Sequence, residues 1–105
     1  MDQCIFCKIA AGEIPSSTVY EDEYFKAILD VSPATKGHTI IIPKKHMKDA
    51  AELEGEYAKR ILPVAAKIGM AMKKGLGCTG FNLVQNNGES AGQTVMHYHM
   101  HVIPR

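Results

Sequence analysis

Near the end of the chain stands the run Thr94-Val95-Met96-His97-Tyr98-His99-Met100-His101-Val102-Ile103. Histidine alternates with bulky apolar side chains, the period of a strand with one polar and one core face. Thr94 to Ile103 is therefore expected to be a long strand. At strand rise the three imidazoles of His97, His99 and His101 stand on one face, consecutive rings about 6 to 7 Å apart, while Tyr98, Met100 and Val102 enter a core. Three titratable rings in a row are poorly explained as a wet sheet surface. They suit nucleophilic chemistry, or a metal site, because two histidines two apart on a strand can ligate one zinc.

The preceding loop favours the first of these. Asn86 to Gly92 is polar and carries Gly88 and Gly92, which let backbone approach a ligand. Asn86, Gln93 and Thr94 offer neutral donors to phosphate oxygens. Further back, Phe81 to Gln85 reads as a strand. From Glu54 to Lys74, Tyr57, Ile61, Val64, Ile68 and Met72 recur on one helical face, with Gly75 and Gly77 as terminators. Pro63 inside this stretch is expected to kink the helix or mark its true first turn.

His38 to Ile42 reads as a buried strand closed by Pro43, after a loop from Asp30 to Gly37. Thr18 to Tyr20 and Tyr24 to Leu29 flank a polar turn and suggest a hairpin. Residues 3 to 11 suggest a short helix with Ile5, Phe6 and Ile9 on one side, Asp2 as N-cap and Gly12 beyond its end. The expected architecture is one α+β domain over residues 1–105: a sheet of about five antiparallel strands, one long helix across a face, and a short N-terminal helix.

Composition sets bounds on partners. Twelve basic against eleven acidic side chains, with no block of like charge, give no electrostatic case for a nucleic acid or a membrane. No stretch has the form of a signal peptide or a spanning helix, which points to the cytoplasm. Cys4-x-x-Cys7 suits a reducing compartment as a metal or redox pair rather than a disulfide framework. Cys78 reads as an ordinary buried residue.

The string Gly92-Gln93-Thr94-Val95-Met96-His97-Tyr98-His99-Met100-His101-Val102-Ile103-Pro104-Arg105 resembles the signature of the histidine triad family. The likeness extends through Asp30-Val31-Ser32-Pro33, through His38 and Ile41-Ile42-Pro43-Lys44-Lys45-His46, and to Cys4-Ile5-Phe6-Cys7. It is strongest to the branch of dimeric, Hint-like purine nucleoside phosphoramidases. The resemblance implies that His99 attacks the α-phosphorus of a purine nucleotide and is transiently nucleotidylated. It implies that His101 stabilises charge or delivers a proton, that His38 supports the triad, and that Asp30 receives the ribose hydroxyls. Ile5, Phe6, Ile9, Ile28 and Val31 are candidates for the slot around the base. Some relatives join Cys-x-x-Cys to a histidine after Pro-Lys-Lys and to the first triad histidine, which here implies a structural zinc on Cys4, Cys7, His46 and His97. It also implies a homodimer.

Two departures accompany the match. Thr94 stands where a serine is usual, and the chain stops at Arg105, where many relatives carry a short tail. Gln93-Thr94 and Pro104-Arg105 also resemble a dinucleoside polyphosphate hydrolase branch. A zinc hydrolase using the three histidines and a non-catalytic nucleotide-binding scaffold are the readings from other classes.

Overall fold

The computed structural model describes residues 3–105, so the N-cap expected at Asp2 lies outside the described residues. The sheet grows outward from its most apolar segment. Thr39–Pro43 (β3), with sequence TIIIP, is buried throughout, as a β-branched run between two neighbours should be. Phe25–Leu29 (β2) pairs with it antiparallel in unbroken register from Phe25 opposite Pro43 to Leu29 opposite Thr39. Thr18–Glu21 (β1) completes the expected hairpin, with one irregularity between Thr18 and Tyr20. Asp22 makes that turn: its carboxylate accepts the backbone N–H of Tyr24 and Phe25 and the Tyr20 hydroxyl.

On the other side of β3 lies Met100–Pro104 (β5), and outside it Phe81–Val84 (β4). The spatial order is β1-β2-β3-β5-β4, every pair antiparallel. The last strand is shorter than expected, because residues 94 to 99 leave the ladder. Pro43 has no N–H to continue the pairing, its carbonyl is taken by the His97 ring, and Tyr98 N–H donates to Met47 O instead. The alternation of faces nevertheless survives. Tyr98, Met100 and Val102 lie in the core with Phe25, Ala27 and Ile41, while the histidines lie on the opposite side.

The long helix, Gly55–Leu76 (α2), packs Ile61, Val64, Ala65, Ile68 and Met72 onto the first of those faces. It runs unbroken from Gly55 through Pro63, so the proline does not mark its first turn. The ring is on the exposed side, where the carbonyl it leaves unpaired can meet water. Gly77 ends the helix in the left-handed conformation. Gly69 is required by packing: a Cβ there would stand 2.4 Å from the Phe81 ring, which lies against the helix backbone.

The opposite face of the sheet carries a second, smaller core. The short helix Ile5–Ala10 (α1) puts Phe6 and Ile9 onto Ile28, Ile40 and Ile42. Its N-cap is Cys4, whose sulfur accepts the Cys7 N–H. Ile5 lies off that face and is 47% exposed. Lys26, buried on β2, caps the other end of α1 by donating from Nζ to Ile9 O at 3.0 Å.

Candidate active site and metal centre

The imidazoles collect on the α1 side of the sheet, and hydrogen-bond partners decide which nitrogen of each carries its proton. His99 Nδ1 lies 2.8 Å from the carbonyl of His97, so Nδ1 carries the proton and donates. The lone pair is then on Nε2, which has no partner among the described residues and is not sealed from solvent. Phe6 stands edge-on to the ring, 4.9 Å between centroids, and fixes its plane.

His101 and His38 form a linked pair. His38 Nε2 lies 2.9 Å from His101 Nδ1, and the Asp30 carboxylate is 3.4 Å and 3.8 Å from these two nitrogens. The other nitrogen of His38 accepts the Ala34 backbone N–H at 3.0 Å. Burial, then the nearby His99 and His38, push the pKa of His101 below the ordinary histidine value, with Asp30 opposing weakly. Asp30, His38 and His101 converge closely enough to suggest a metal cage. Ala34 argues against one: with His38 Nδ1 already accepting, Nε2 bears a proton and has no lone pair to offer. Triad ligation of one metal also fails on direction, because His97 presents Nδ1 to the cysteines while His99 Nδ1 faces a carbonyl.

His97 belongs to a different cluster. Its Nε2–H donates to Pro43 O at 2.9 Å, leaving a lone pair on Nδ1, and burial lowers its pKa to about 4. That lone pair faces Cys4 Sγ at 3.4 Å, Cys7 Sγ at 3.5 Å and His46 Nδ1 at 3.2 Å, with Cys7 Sγ 3.2 Å from His46 Nδ1. Tetrahedral zinc with bonds of about 2.3 Å to sulfur and 2.05 Å to nitrogen needs separations of about 3.6 Å between sulfur and nitrogen and 3.3 Å between nitrogens, close to those observed, and all four donor atoms lie within 4.8 Å of one another. Burial, then the hydrogen bond and charge of Cys4, raise the Cys7 thiol pKa to about 11, the direction a bound cation would reverse. The set ties α1, the segment after β3 and the approach to β5 at one point.

The phosphate-loop expectation needs one revision. Gln93 is 2% exposed; its Nε2 donates to Lys48 O and Val95 O, and its Oε1 accepts Gly88 N–H. Its amide is committed to holding the loop and offers nothing to a ligand. Asn86 remains half-buried beside Gly92, and Thr94 is exposed. Thr94 lines a hollow of about 470 Å³ with Ile5, Val95, Met96 and His46.

The base-slot expectation divides in the same way. Phe6, Ile9 and Ile28 belong to the second core and form a floor, whereas Ile5 and Val31, the latter 97% exposed, present free apolar surface. A more apolar hollow of about 450 Å³ lies on the opposite face, between α2 and Val19, Leu29 and Thr39, with no histidine in its lining. Sequence reading did not single out Lys26 or Ala34. A lysine within an otherwise buried strand was a visible signal for the first; Ala34 acts through its backbone, for which a side chain gives no sign.

The HIT domain model matches residues 11–105. The chain is 52% identical over 104 residues to Protein hit of Bacillus subtilis, covering 99% of this chain and 72% of that protein. It is 42% identical over 102 residues to an adenosine 5'-monophosphoramidase of Schizosaccharomyces pombe, covering 97% and 74%. A crystal structure of a Zn-bound histidine triad family protein from Mycobacterium smegmatis superposes with a TM-score of 0.94 at 42% identity, covering 99% of this chain and 76% of that one.

Proposed function

The chain belongs to the HIT domain family, and from that premise we propose that it hydrolyses purine nucleoside phosphoramidates through a nucleotidyl intermediate on His99. The observation that carries this reading is the 2.8 Å contact between His99 Nδ1 and His97 O, which leaves the lone pair of the neutral ring on Nε2 as the nucleophile. Nε2 attacks the α-phosphorus as the bond to the leaving nitrogen breaks. The electron pair goes to that nitrogen, which takes up a proton and departs as an amine. The ring, now bearing phosphorus on Nε2 and hydrogen on Nδ1, is cationic, and the His97 carbonyl stabilises it. Water then attacks phosphorus and gives up a proton to solvent, the bond to Nε2 breaks with its electrons returning to the ring, and the nucleotide leaves.

Asp30 suits the ribose. One oxygen is engaged by Ser32 N–H at 2.8 Å, and a carboxylate has further lone pairs for two hydroxyls. Ile5 and Val31 supply exposed apolar surface for the base. Cys4, Cys7, His46 and His97 would hold zinc with four protein ligands and leave no open position, so the ion would tie α1 to the segment before β5 and would not activate water. A homodimer paired along the edge strand β4 would cover the exposed Leu83 and Val84.

The direct test is His99→Ala. Release of nucleotide from an adenosine phosphoramidate should stop while binding of the product nucleotide stays within about tenfold. Substantial residual turnover would assign the nucleophile elsewhere.

A further inference from the structure

We propose that the backbone N–H of Ala34, acting through His38, holds His101 neutral with its proton on Nε2, so that His101 serves as a hydrogen-bond donor to the phosphoryl group and not as a proton donor to the leaving group. The inference rests on the hydrolase reading for the identity of the acceptor, but its starting point is a hydrogen-bond polarity that no substrate is needed to define.

A backbone amide can only donate. Ala34 N–H lies 3.0 Å from His38 Nδ1, so that nitrogen must present a lone pair. A neutral imidazole has one ring N–H, which places it on His38 Nε2. That nitrogen lies 2.9 Å from His101 Nδ1 and donates to it, so His101 in turn keeps its hydrogen on Nε2. The chain runs one way, from Ala34 to His38 to His101. To become an imidazolium, His101 would need a hydrogen on Nδ1, head-on to the Nε2–H of His38. Relief would require His38 to move its proton to Nδ1, against the Ala34 N–H. Each link opposes reversal, and burial and the neighbouring imidazoles oppose the charge as well.

The loop that carries Ala34 is tied at both ends to the histidine it controls. Asp30 N–H donates to His38 O at 2.9 Å, and His38 N–H donates to Thr35 O at 3.1 Å. The Asp30 carboxylate sits 3.4 Å from His38 Nε2, beside the link to His101. One loop thus receives the ribose through Asp30 and sets the tautomer of the triad's last histidine through Ala34. The consequence for the reaction concerns the departing nitrogen, which takes its proton from water while His101 keeps its own. Ala34 and His38 are positioning residues in this arrangement.

The experiment is ¹⁵N NMR of the imidazoles in the whole zinc-loaded protein at neutral pH, where protonated and unprotonated ring nitrogens are resolved. Wild type should show both His38 and His101 unprotonated at Nδ1 and protonated at Nε2. Ala34→Pro removes the N–H and should give mixed tautomers at both residues, with kcat for a nucleoside phosphoramidate falling about tenfold or more and KM changing much less. Ala34→Gly keeps the N–H and should keep the wild-type tautomers. If the proline variant does not fold, His38→Gln places an amide N–H toward His101 and should retain the Nε2–H form, whereas His38→Leu should lose it. Wild-type His101 found as imidazolium or as the Nδ1–H form overturns the inference, as does an unchanged His101 tautomer in folded Ala34→Pro or in His38→Leu. If the tautomers are as stated but no nucleotidyl substrate is turned over, the hydrolase reading falls and the polarity of the chain stands.

Discussion

Replacing Asp30 by alanine should weaken ribonucleotides selectively. The carboxylate is mostly buried, with one oxygen on Ser32 N–H and the other beside His38 and His101. The Ser32 bond is exposed, so water replaces it at small cost in the variant. A ribose hydroxyl bound to the carboxylate loses its charged acceptor in the variant. One hydrogen bond to a charged acceptor contributes about 1.5 to 3 kcal/mol, which is about ten- to 150-fold in Kd. The adenosine monophosphate Kd, measured by calorimetry, should therefore rise at least about tenfold in Asp30→Ala, while that of the 2',3'-dideoxy analogue should change by less than about threefold. Melting temperatures of the two proteins check that the loop persists. Equal losses for the two ligands would refute the ribose role and leave Asp30 as a turn residue and partner of His38.

Three further outcomes follow from the same geometry. Gly69→Ala should destabilise the fold by about 1 kcal/mol, because overpacking against Phe81 at about 1 to 3 kcal/mol exceeds the gain in helix propensity of about 0.5 to 1; Gly75→Ala, with nothing near its Cβ, should stabilise, and chemical denaturation reads both. One zinc per chain should be found by metal analysis of untagged protein and be absent, with a lower melting temperature, from the Cys4→Ser, Cys7→Ser double variant; full zinc in that variant contradicts the ligand set. Acid should destabilise the protein partly through His101. Its folded pKa is lowered from 6.5, so between the two values the unfolded chain binds more protons and stability rises with pH. This contribution is fully present above about pH 6.5 and fades below it, so melting temperatures of His101→Gln should fall less steeply with acidification than those of wild type.

The fold was legible where one period dominated. The apolar spacing from Tyr57 to Met72 located α2 within a few residues, and the β-branched run Thr39 to Ile42 located the central strand. The errors arose where a side chain competed with backbone for partners. Residues 94 to 99 alternate like a strand, yet the His97 ring takes the Pro43 carbonyl that a longer ladder would need. Gln93 read as a phosphate donor because its type fits, but its burial could only come from knowing what packs over the loop. Ile5 read as part of one helical face with Phe6 and Ile9, and a helix of six residues was too short for spacing to separate them. The four candidate metal donors come together in the sequence only by resemblance; the structure adds that Pro43 fixes the His97 tautomer a metal would need there. The carbonyl behind His99 belongs to backbone, which side-chain identities do not report.

The covalent intermediate is the claim on which the account turns. Protein mixed briefly with an adenosine phosphoramidate, quenched in alkali to preserve the phosphorus–nitrogen bond and digested, should yield by mass spectrometry an adenylyl group on His99 that rises and decays with turnover and is absent from His99→Ala. Turnover with no adduct at any quench time, or an adduct on His97, His101 or another residue, would contradict it.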